Sequence, residues 1–156
     1  MDYLVNLSLL NPDADLSEKM KAAGVTIRRA LAPEAMLVTK WVAETFSDGW
    51  ASETAVALAR QPPTCIIATL NQRLVGFACH ESIARGFFGP TGVEEESRGL
   101  GIGHALLLAS LLDLKTMGYA YAIIGDVGPS GFYEKTVGAM PIPNSAPGIY
   151  AGMLKI

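Results

Sequence analysis

The middle of the chain alternates short apolar runs with polar breaks, a pattern that predicts three consecutive strands. The runs TCIIATL and LVGFACHE flank the tripeptide NQR, which is typical of two strands joined by a tight hairpin. GFFGPTGV follows as a further extended run. We therefore expect an antiparallel meander at the centre of the fold.

Helical periodicity frames these strands on both sides. Ahead of them, VTIRRAL predicts a strand, PEAMLVTKWVAETF predicts a helix with Pro33 in its first turn, and residues 51–60 predict a second, shorter helix. After them, residues 101–117 predict a long apolar helix that ends at Gly118. The order of elements indicates the α+β class (mixed α/β), with helices inserted into a mixed sheet.

The last third of the chain predicts three more elements. YAYAII is typical of an apolar strand, GDVGPSGFYEK of a short helix around Tyr133, and MPIPNSAPGIYAGMLKI of irregular chain that enters a last strand. With 156 residues, 50% of them hydrophobic, the chain predicts one domain over residues 1–156. Within it, residues 1–24 are interpreted as a candidate N-terminal addition, a strand followed by a linker.

Charge and cysteine content narrow the classes of function. Twelve Lys and Arg against fifteen Asp and Glu give a net charge of −3 without a basic block, so we expect no nucleic-acid partner. The opening MDYLVNLSLL lacks a basic region, and His104 and Asp113 interrupt the apolar stretch at 100–114, so we expect a cytoplasmic protein with no membrane partner. Cys65 and Cys79 lie in strand-like runs without a CxxC spacing, which predicts reduced core thiols and no metal.

The stretch SRGLGIGH places glycines at every second position just before the long helix. Each glycine in a helix lowers its stability by about 1 kcal/mol relative to alanine. Glycines at the start of a helix therefore indicate that another group approaches the backbone closely there. The stretch lacks the Gly-Lys-Ser/Thr ending of a P-loop, and His104 occupies the third glycine position of a GxGxxG motif counted from Gly99. Two interpretations stay open: a turn whose free N–H groups bind a phosphate at a helix N-terminus, or a loop that lets the helix pack tightly.

The motif RGLGIG resembles the Arg/Gln-x-x-Gly-x-Gly/Ala signature of the GNAT superfamily, the acyl-CoA-dependent N-acyltransferases. Strand, glycine turn and long helix follow in that family's order, FYEK stands where the family carries a catalytic tyrosine, and the similarity runs from Val25 to the C-terminus. The resemblance implies a central mixed, mostly antiparallel sheet flanked by helices, with a splayed strand pair at the cofactor site. It also implies acetyl-CoA as co-substrate.

The resemblance assigns cofactor contacts residue by residue. In the family, backbone amides of the turn hold the CoA pyrophosphate, and the strand equivalent to GFFGPTGV bulges and leaves main-chain groups free. Pro90 has no N–H, which agrees with a broken ladder there. We expect the Val93 N–H to bind the thioester carbonyl as an oxyanion-type donor. The positions that match the pyrophosphate turn are Arg98, Gly99, Leu100, Gly101, Ile102 and Gly103, with His104 adjoining.

Two side chains are candidates for proton transfer. Tyr133 matches the family's catalytic tyrosine and would donate a hydrogen bond to the leaving thiolate; the alternative is an amphipathic core residue. Glu94 is the carboxylate nearest to GFFGPTGV and is the candidate base, against the alternatives of a surface glutamate and of a base acting through water. Asp126 and Pro129 stand where the family often has Asn and Ala, a departure that affects the acceptor pocket more than cofactor chemistry.

The expected activity is transfer of an acetyl group from acetyl-CoA to a primary amine, by direct attack while both substrates are bound. The amine belongs to a small molecule or a peptide, and a homodimer is left open. A catalytically silent acyl-CoA sensor and a structural subunit are the alternatives. We expect the acceptor beside the segment SDGWASE, where Trp50 offers an apolar wall and Asp48 or Glu53 could attract a cation; an exposed capping turn is the alternative.

Overall fold

The computed structural model describes residues 1–155, which form a seven-stranded mixed sheet covered by five α-helices. The strands are β1 (Tyr3–Asn6), β2 (Val25–Arg29), β3 (Cys65–Leu70), β4 (Arg73–His80), β5 (Phe87–Val93), β6 (Tyr121–Ile124) and β7 (Met140–Pro141). The helices are α1 (Ala14–Ala22), α2 (Ala35–Thr45), α3 (Asp48–Ala59), α4 (Ile102–Thr116) and α5 (Ser130–Val137). No helix in this part of the chain is both long and apolar enough to cross a bilayer.

The strands lie in the order β2-β3-β4-β5-β6-β1-β7, and every neighbouring pair is antiparallel except β5 and β6. The predicted α+β class and the mostly antiparallel sheet are therefore confirmed. The predicted hairpin joins β3 and β4, and its central residues Asn71 and Gln72 adopt φ values of 52° and 62°. Positive φ at both central residues matches the right-handed twist of the strands that a two-residue turn connects.

The first strand of the chain is an internal strand of the sheet. β1 pairs antiparallel with β6 on one side and with β7 on the other, and its Val5 is fully buried. Helix α1 packs against β2 and α4 and buries Met20. Residues 1–24 thus contribute hydrogen bonds to the sheet and apolar surface to the core.

Two apolar layers hold the sheet between its helices. On one face, called the α4 face, α1, α4 and α5 cover the sheet, and Leu106, Leu107 and Leu111 of α4 are fully buried. On the other, called the α3 face, α2 and α3 pack against Phe77 and its neighbours. Cys65 and Cys79 lie opposite each other in β3 and β4 within this second layer, both as buried free thiols.

The segment after α5 differs from the prediction of irregular chain entering a last strand. The strand comes first, because β7 contains only Met140 and Pro141, and irregular chain follows it to a 3-10 turn at Gly148–Tyr150. Proline has no N–H to donate to a ladder. With Pro141, Pro143 and Pro147 in this segment, pairing beyond the first two residues is disfavoured, and the predicted order was wrong.

A partly buried cluster of charged and polar side chains joins β2, β4 and α4. His80 is fully buried with Nε2 2.6 Å from Asp113, and Arg29 donates to both oxygens of the same carboxylate at 2.9 and 3.2 Å. Burial lowers the pKa of His80 and outweighs the opposing effect of Asp113. Burial favours a higher pKa for Asp113, but hydrogen bonds from Arg29 and His80 outweigh it, and the pKa lies below its ordinary value.

Acid should weaken the fold through His80. In the unfolded chain a histidine gains its proton near its ordinary pKa of about 6.5, whereas His80 in the fold does so only at lower pH. The free energy of unfolding should therefore fall as the pH drops from about 7 towards 5, by at most about 1.4 kcal/mol per pH unit from this residue. Chemical denaturation of the wild type, His80→Gln and His104→Gln measures this slope. Only His80→Gln should lose this decrease in stability at low pH. Equal slopes in all three proteins would contradict the assignment of the pH dependence to His80.

Candidate active site

β5 and β6 pair over two residues and then diverge. Their parallel register contains only Phe87 with Ile123 and Phe88 with Ile124; β6 then ends, whereas β5 continues to Val93. The ladder between β4 and β5 shifts register at the same place, which inserts an extra residue of β5 around Gly89 and Pro90. The splayed strand pair implied by the resemblance is therefore present, and it leaves one edge of residues 89–93 open.

The open edge presents main-chain groups of Val93. The Glu94 N–H donates to the Val75 carbonyl at 2.9 Å, and hydrogen bonds alternate along an antiparallel pair. Val93, which faces Gly76, therefore directs its own N–H and carbonyl away from β4. Arg98 Nε donates to the Val93 carbonyl at 3.2 Å. The N–H of Val93 faces the opening between the strands, where it can donate to a ligand.

The glycine turn leaves the start of α4 without a side-chain cap. Gly99 and Gly101 adopt φ values of +87° and +89°, which side chains other than that of glycine rarely adopt, and Gly101 is the N-cap residue. The first intrahelical bond runs from the Ala105 N–H to the Gly101 carbonyl at 3.1 Å. The preceding N–H groups, those of Ile102, Gly103 and His104, have no partner inside the helix. Such an end favours an anion.

Gly103 lies where α4, β5 and α5 meet. A Cβ added at this position would be 3.9 Å from Val93 Cγ2 and 3.9 Å from Phe132 Cζ. These are ordinary van der Waals distances, so the folded protein has room for a methyl group there. The first turn of α4 therefore borders the open edge of β5, and a ligand that contacts the turn can also reach the strand.

Lys19 of α1 lies beside the glycine turn, which the sequence did not predict. Its Nζ is 3.3 Å from the position that a Cβ on Gly101 would take. An ammonium group close to a helix N-terminus is electrostatically unfavourable, because that end of the helix carries partial positive charge. A bound anion would offset the repulsion. The motif contains no signal for this residue, since Lys19 reaches the turn only through the packing of α1 on α4.

Tyr133 lies next to the point where β5 and β6 diverge. Its ring packs edge-on against Phe88, with centroids 6.4 Å apart, and against Phe132 at 5.1 Å. Phe88 is the last residue of β5 that pairs with β6. A phenol is protonated at neutral pH, and burial raises the pKa of Tyr133 further above its ordinary value. The group is suited to donate a hydrogen bond or a proton at the opening.

Glu94 is buried at the end of β5, and both of its carboxylate oxygens accept hydrogen bonds from neighbouring side chains. Arg73 approaches the two oxygens at 2.8 and 2.9 Å, and the Ser97 hydroxyl donates to one of them at 2.8 Å. These contacts close the 3-10 turn at Glu95–Ser97, directly before the glycine turn. The structure therefore brings Glu94 close to Val93 in the chain but ties its carboxylate to neighbouring side chains.

The model of the acetyltransferase (GNAT) family matches residues 33–139 of this sequence. The chain belongs to the GNAT acetyltransferase family. This confirms the resemblance that RGLGIG and FYEK indicated, and the matched range contains β5, the glycine turn, α4 and Tyr133. Comparison with curated proteins finds no match.

Solved structures share the fold at low sequence identity. A GCN5-related N-acetyltransferase from Sphaerobacter thermophilus has a TM-score of 0.64 at 20% identity, over 89% of this chain and 47% of that one. A GCN5-related glucosamine N-acetyltransferase region of a fungal multi-domain GH3 β-N-acetylglucosaminidase has a TM-score of 0.72 at 18% identity, over 87% and 19%. A GNAT acetyltransferase from Brucella melitensis in complex with acetyl-CoA has a TM-score of 0.54 at 18% identity, over 71% and 82%. The chain thus spans less than half the length of the first two proteins.

Replacing Gly103 by alanine should separate stability from cofactor affinity. The methyl group fits the folded protein, and alanine gains up to about 1 kcal/mol of helix propensity over glycine. It would nevertheless fill the space between Val93 and Phe132 that a ligand at the turn needs. We expect unchanged or higher stability by thermal unfolding, with an acetyl-CoA dissociation constant at least about tenfold higher by calorimetry, or about 1.4 kcal/mol.

The matched control is Gly49→Ala at the start of α3, where the added Cβ would contact only the Ser47 hydroxyl at 3.9 Å. This variant should bind acetyl-CoA like the wild type. If Gly103→Ala also binds with unchanged affinity, the cofactor does not approach the first turn of α4.

Proposed function

We propose that this protein is an N-acetyltransferase that transfers an acetyl group from acetyl-CoA to a primary amine, with both substrates bound at once. The observation that carries the proposal is the opening between β5 and β6. It is bordered by the N–H of Val93, by the uncapped start of α4 and by the ring of Tyr133, which packs on Phe88 at the point of divergence. The structural neighbour from Brucella melitensis, described in complex with acetyl-CoA, supports the choice of co-substrate.

The glycine turn would hold the pyrophosphate of the co-substrate. The free N–H groups of α4 and the helix dipole favour negative charge, and the positive φ at Gly99 and Gly101 lets the backbone approach closely. Lys19 adds a cation on the α1 side of the turn. The proposed contacts are Lys19 and the positions of the motif, which are Arg98, Gly99, Leu100, Gly101, Ile102, Gly103 and His104.

Val93 and Tyr133 would act on opposite ends of the reacting group. Acetyl-CoA supplies an activated acetyl thioester when it is bound. The Val93 N–H would donate a hydrogen bond to its carbonyl oxygen, where negative charge develops as the amine attacks. Tyr133, which is protonated at neutral pH, would give its proton to the sulfur as the carbon–sulfur bond breaks.

Glu94 stays a prediction for the base that takes a proton from the amine. Arg73 and Ser97 occupy its carboxylate oxygens, so this role requires one of those contacts to give way to the amine or to a water molecule. Removing the charge by Glu94→Gln would also leave Arg73 without its partner. The stability of this variant therefore has to be measured together with its activity.

Two measurements test the proposal against its alternatives. Calorimetry with acetyl-CoA should give one saturable site, and a thiol-reactive dye should detect free CoA when a panel of primary amines is added. Absence of saturable binding at millimolar acetyl-CoA would favour a structural subunit. Binding without release of CoA by any amine would favour a catalytically silent sensor.

Tyr133→Phe should lower turnover and leave acetyl-CoA affinity unchanged. The substitution keeps the ring that packs on Phe88 but removes the hydroxyl that would meet the sulfur. A general acid contributes about a hundredfold or more, so we expect turnover to fall by at least that factor, measured as the rate of CoA release. Tyr121→Phe, at the exposed start of β6, is the matched control and should behave like the wild type. Unchanged turnover in Tyr133→Phe would remove this residue from the mechanism.

A further inference from the structure

On the α3 face, a row of aromatic side chains leads from the open strand to α3. It begins at Gly92 of β5, where an added Cβ would overlap the ring of Phe46. The Phe46 ring lies 5.3 Å from that of Trp50, in the first turn of α3. Glu53 lies three residues further along α3, on the same side of the helix as Trp50. The row therefore leads from the open strand to a carboxylate.

Tyr150 packs on the backbone just beyond the end of β6. Gly125 directly follows Ile124, which pairs with Phe88 at the point of divergence. A Cβ on Gly125 would lie only 2.8 Å from the Tyr150 hydroxyl, so this phenol packs directly on the backbone that follows β6. Burial, together with the charges of Glu53, Asp2 and Asp126, raises the pKa of Tyr150 to about 12. The charge of Glu53 thus acts on the Tyr150 phenol beside the end of β6.

Glu53 differs from the other two carboxylates of this group in its surroundings. The Asp2 carboxylate accepts a hydrogen bond from the Asp126 N–H at 3.0 Å, and Asp126 itself is exposed. Glu53 is half-buried, and burial raises the pKa of its carboxyl group. Among residues 1–155, no hydrogen bond or ion pair engages the Glu53 side chain by the usual distance criteria, unlike that of Glu94. A carboxylate of this kind can accept a proton without breaking an existing contact.

We propose that Glu53, rather than Glu94, is the general base for the acceptor amine, which approaches the opening from the α3 face. This inference rests on the proposed acetyltransferase function. The placement separates the two proton transfers, since Tyr133 lies on the α4 face and Glu53 on the α3 face of the same opening. The amine would meet its base on one side while the sulfur receives its proton on the other.

The proposed step balances in atoms and charge. An acceptor ammonium gives one proton to the Glu53 carboxylate, and the freed nitrogen lone pair forms the carbon–nitrogen bond as the carbon–sulfur bond breaks. The electron pair of that bond goes to sulfur, which takes the Tyr133 proton. The amide nitrogen loses its second proton, which restores the phenol. The products are the amide, the free thiol and one proton, which Glu53 releases to solvent.

The test compares Glu53→Gln, Glu94→Gln and Glu18→Gln, the last an exposed glutamate on α1. The probes are 1,3-diaminopropane, glucosamine and a short peptide with a free amino group. We expect Glu53→Gln to keep acetyl-CoA affinity and melting temperature, to lose at least about a hundredfold in kcat/KM for the amine, and to lose the acidic limb of its pH profile. Glu53→Asp should keep that limb at a reduced rate, and Glu18→Gln should match the wild type.

A second readout does not depend on turnover. In the 13C spectrum of the wild type, the Glu53 carboxyl signal should titrate above the ordinary pKa of about 4.3 and should move when the amine that is acetylated fastest is added. Asp126→Asn removes a neighbouring charge and should leave the acidic limb in place. Loss of the limb in Asp126→Asn or in Glu94→Gln instead of Glu53→Gln would overturn the inference.

The outcomes distinguish this inference from the function on which it rests. If the wild type fails to bind acetyl-CoA or acetylates none of the amines, the proposed acetyltransferase function and the inference fail together. If the wild type acetylates an amine and Glu53→Gln keeps the same rate and pH profile, only the role of Glu53 is wrong. If Glu53→Gln remains folded but loses both the rate of acetylation and the acidic limb of the pH profile, the inference stands.

Discussion

The divergence of β5 from β6 is the constraint on which the rest of the site depends. Two paired residues keep the strands together, and a register shift beside Gly89 and Pro90 then separates them. Proline cannot donate to a ladder, and the φ of +122° at Gly89 belongs to a region that glycine tolerates. The separation exposes backbone N–H and carbonyl groups that a continuous sheet would have paired. A sheet edge in the middle of a protein is thereby available to a ligand.

The two faces of the opening differ in chemistry because different helices cover them. On the α4 face, the glycine turn offers N–H groups and partial positive charge, with the ammonium of Lys19 close by. On the α3 face, aromatic rings lead to the carboxylate of Glu53 and to Tyr150. Positive potential on one side favours phosphates, and negative potential on the other favours an ammonium group. The sheet between them holds the two environments apart.

Local patterns predicted the parts of the site that one segment builds alone. The motif RGLGIG specified the turn and the start of α4, and the glycines and proline of GFFGPTGV indicated a broken strand. Contacts between distant segments left no such signal. The insertion of β1 between β6 and β7, the approach of Lys19 to Gly101 and the ion pair of Glu94 with Arg73 all arise from tertiary packing. The sequence indicated Glu53 as a candidate to attract a cation, but its electrostatic effect on Tyr150 depends on a segment about one hundred residues away.

The central claim is that acetyl-CoA binds to backbone groups exposed by this divergence. A titration of the 15N-labelled protein with acetyl-CoA, followed by amide chemical shifts, tests it most directly. The account predicts that the amides of Val93, Ile102, Gly103 and His104 shift most, and that the Val93 N–H becomes protected from hydrogen exchange only when the ligand is bound. Saturable binding that leaves these amides unchanged, or a Val93 N–H that is already protected in the free protein, would contradict the account.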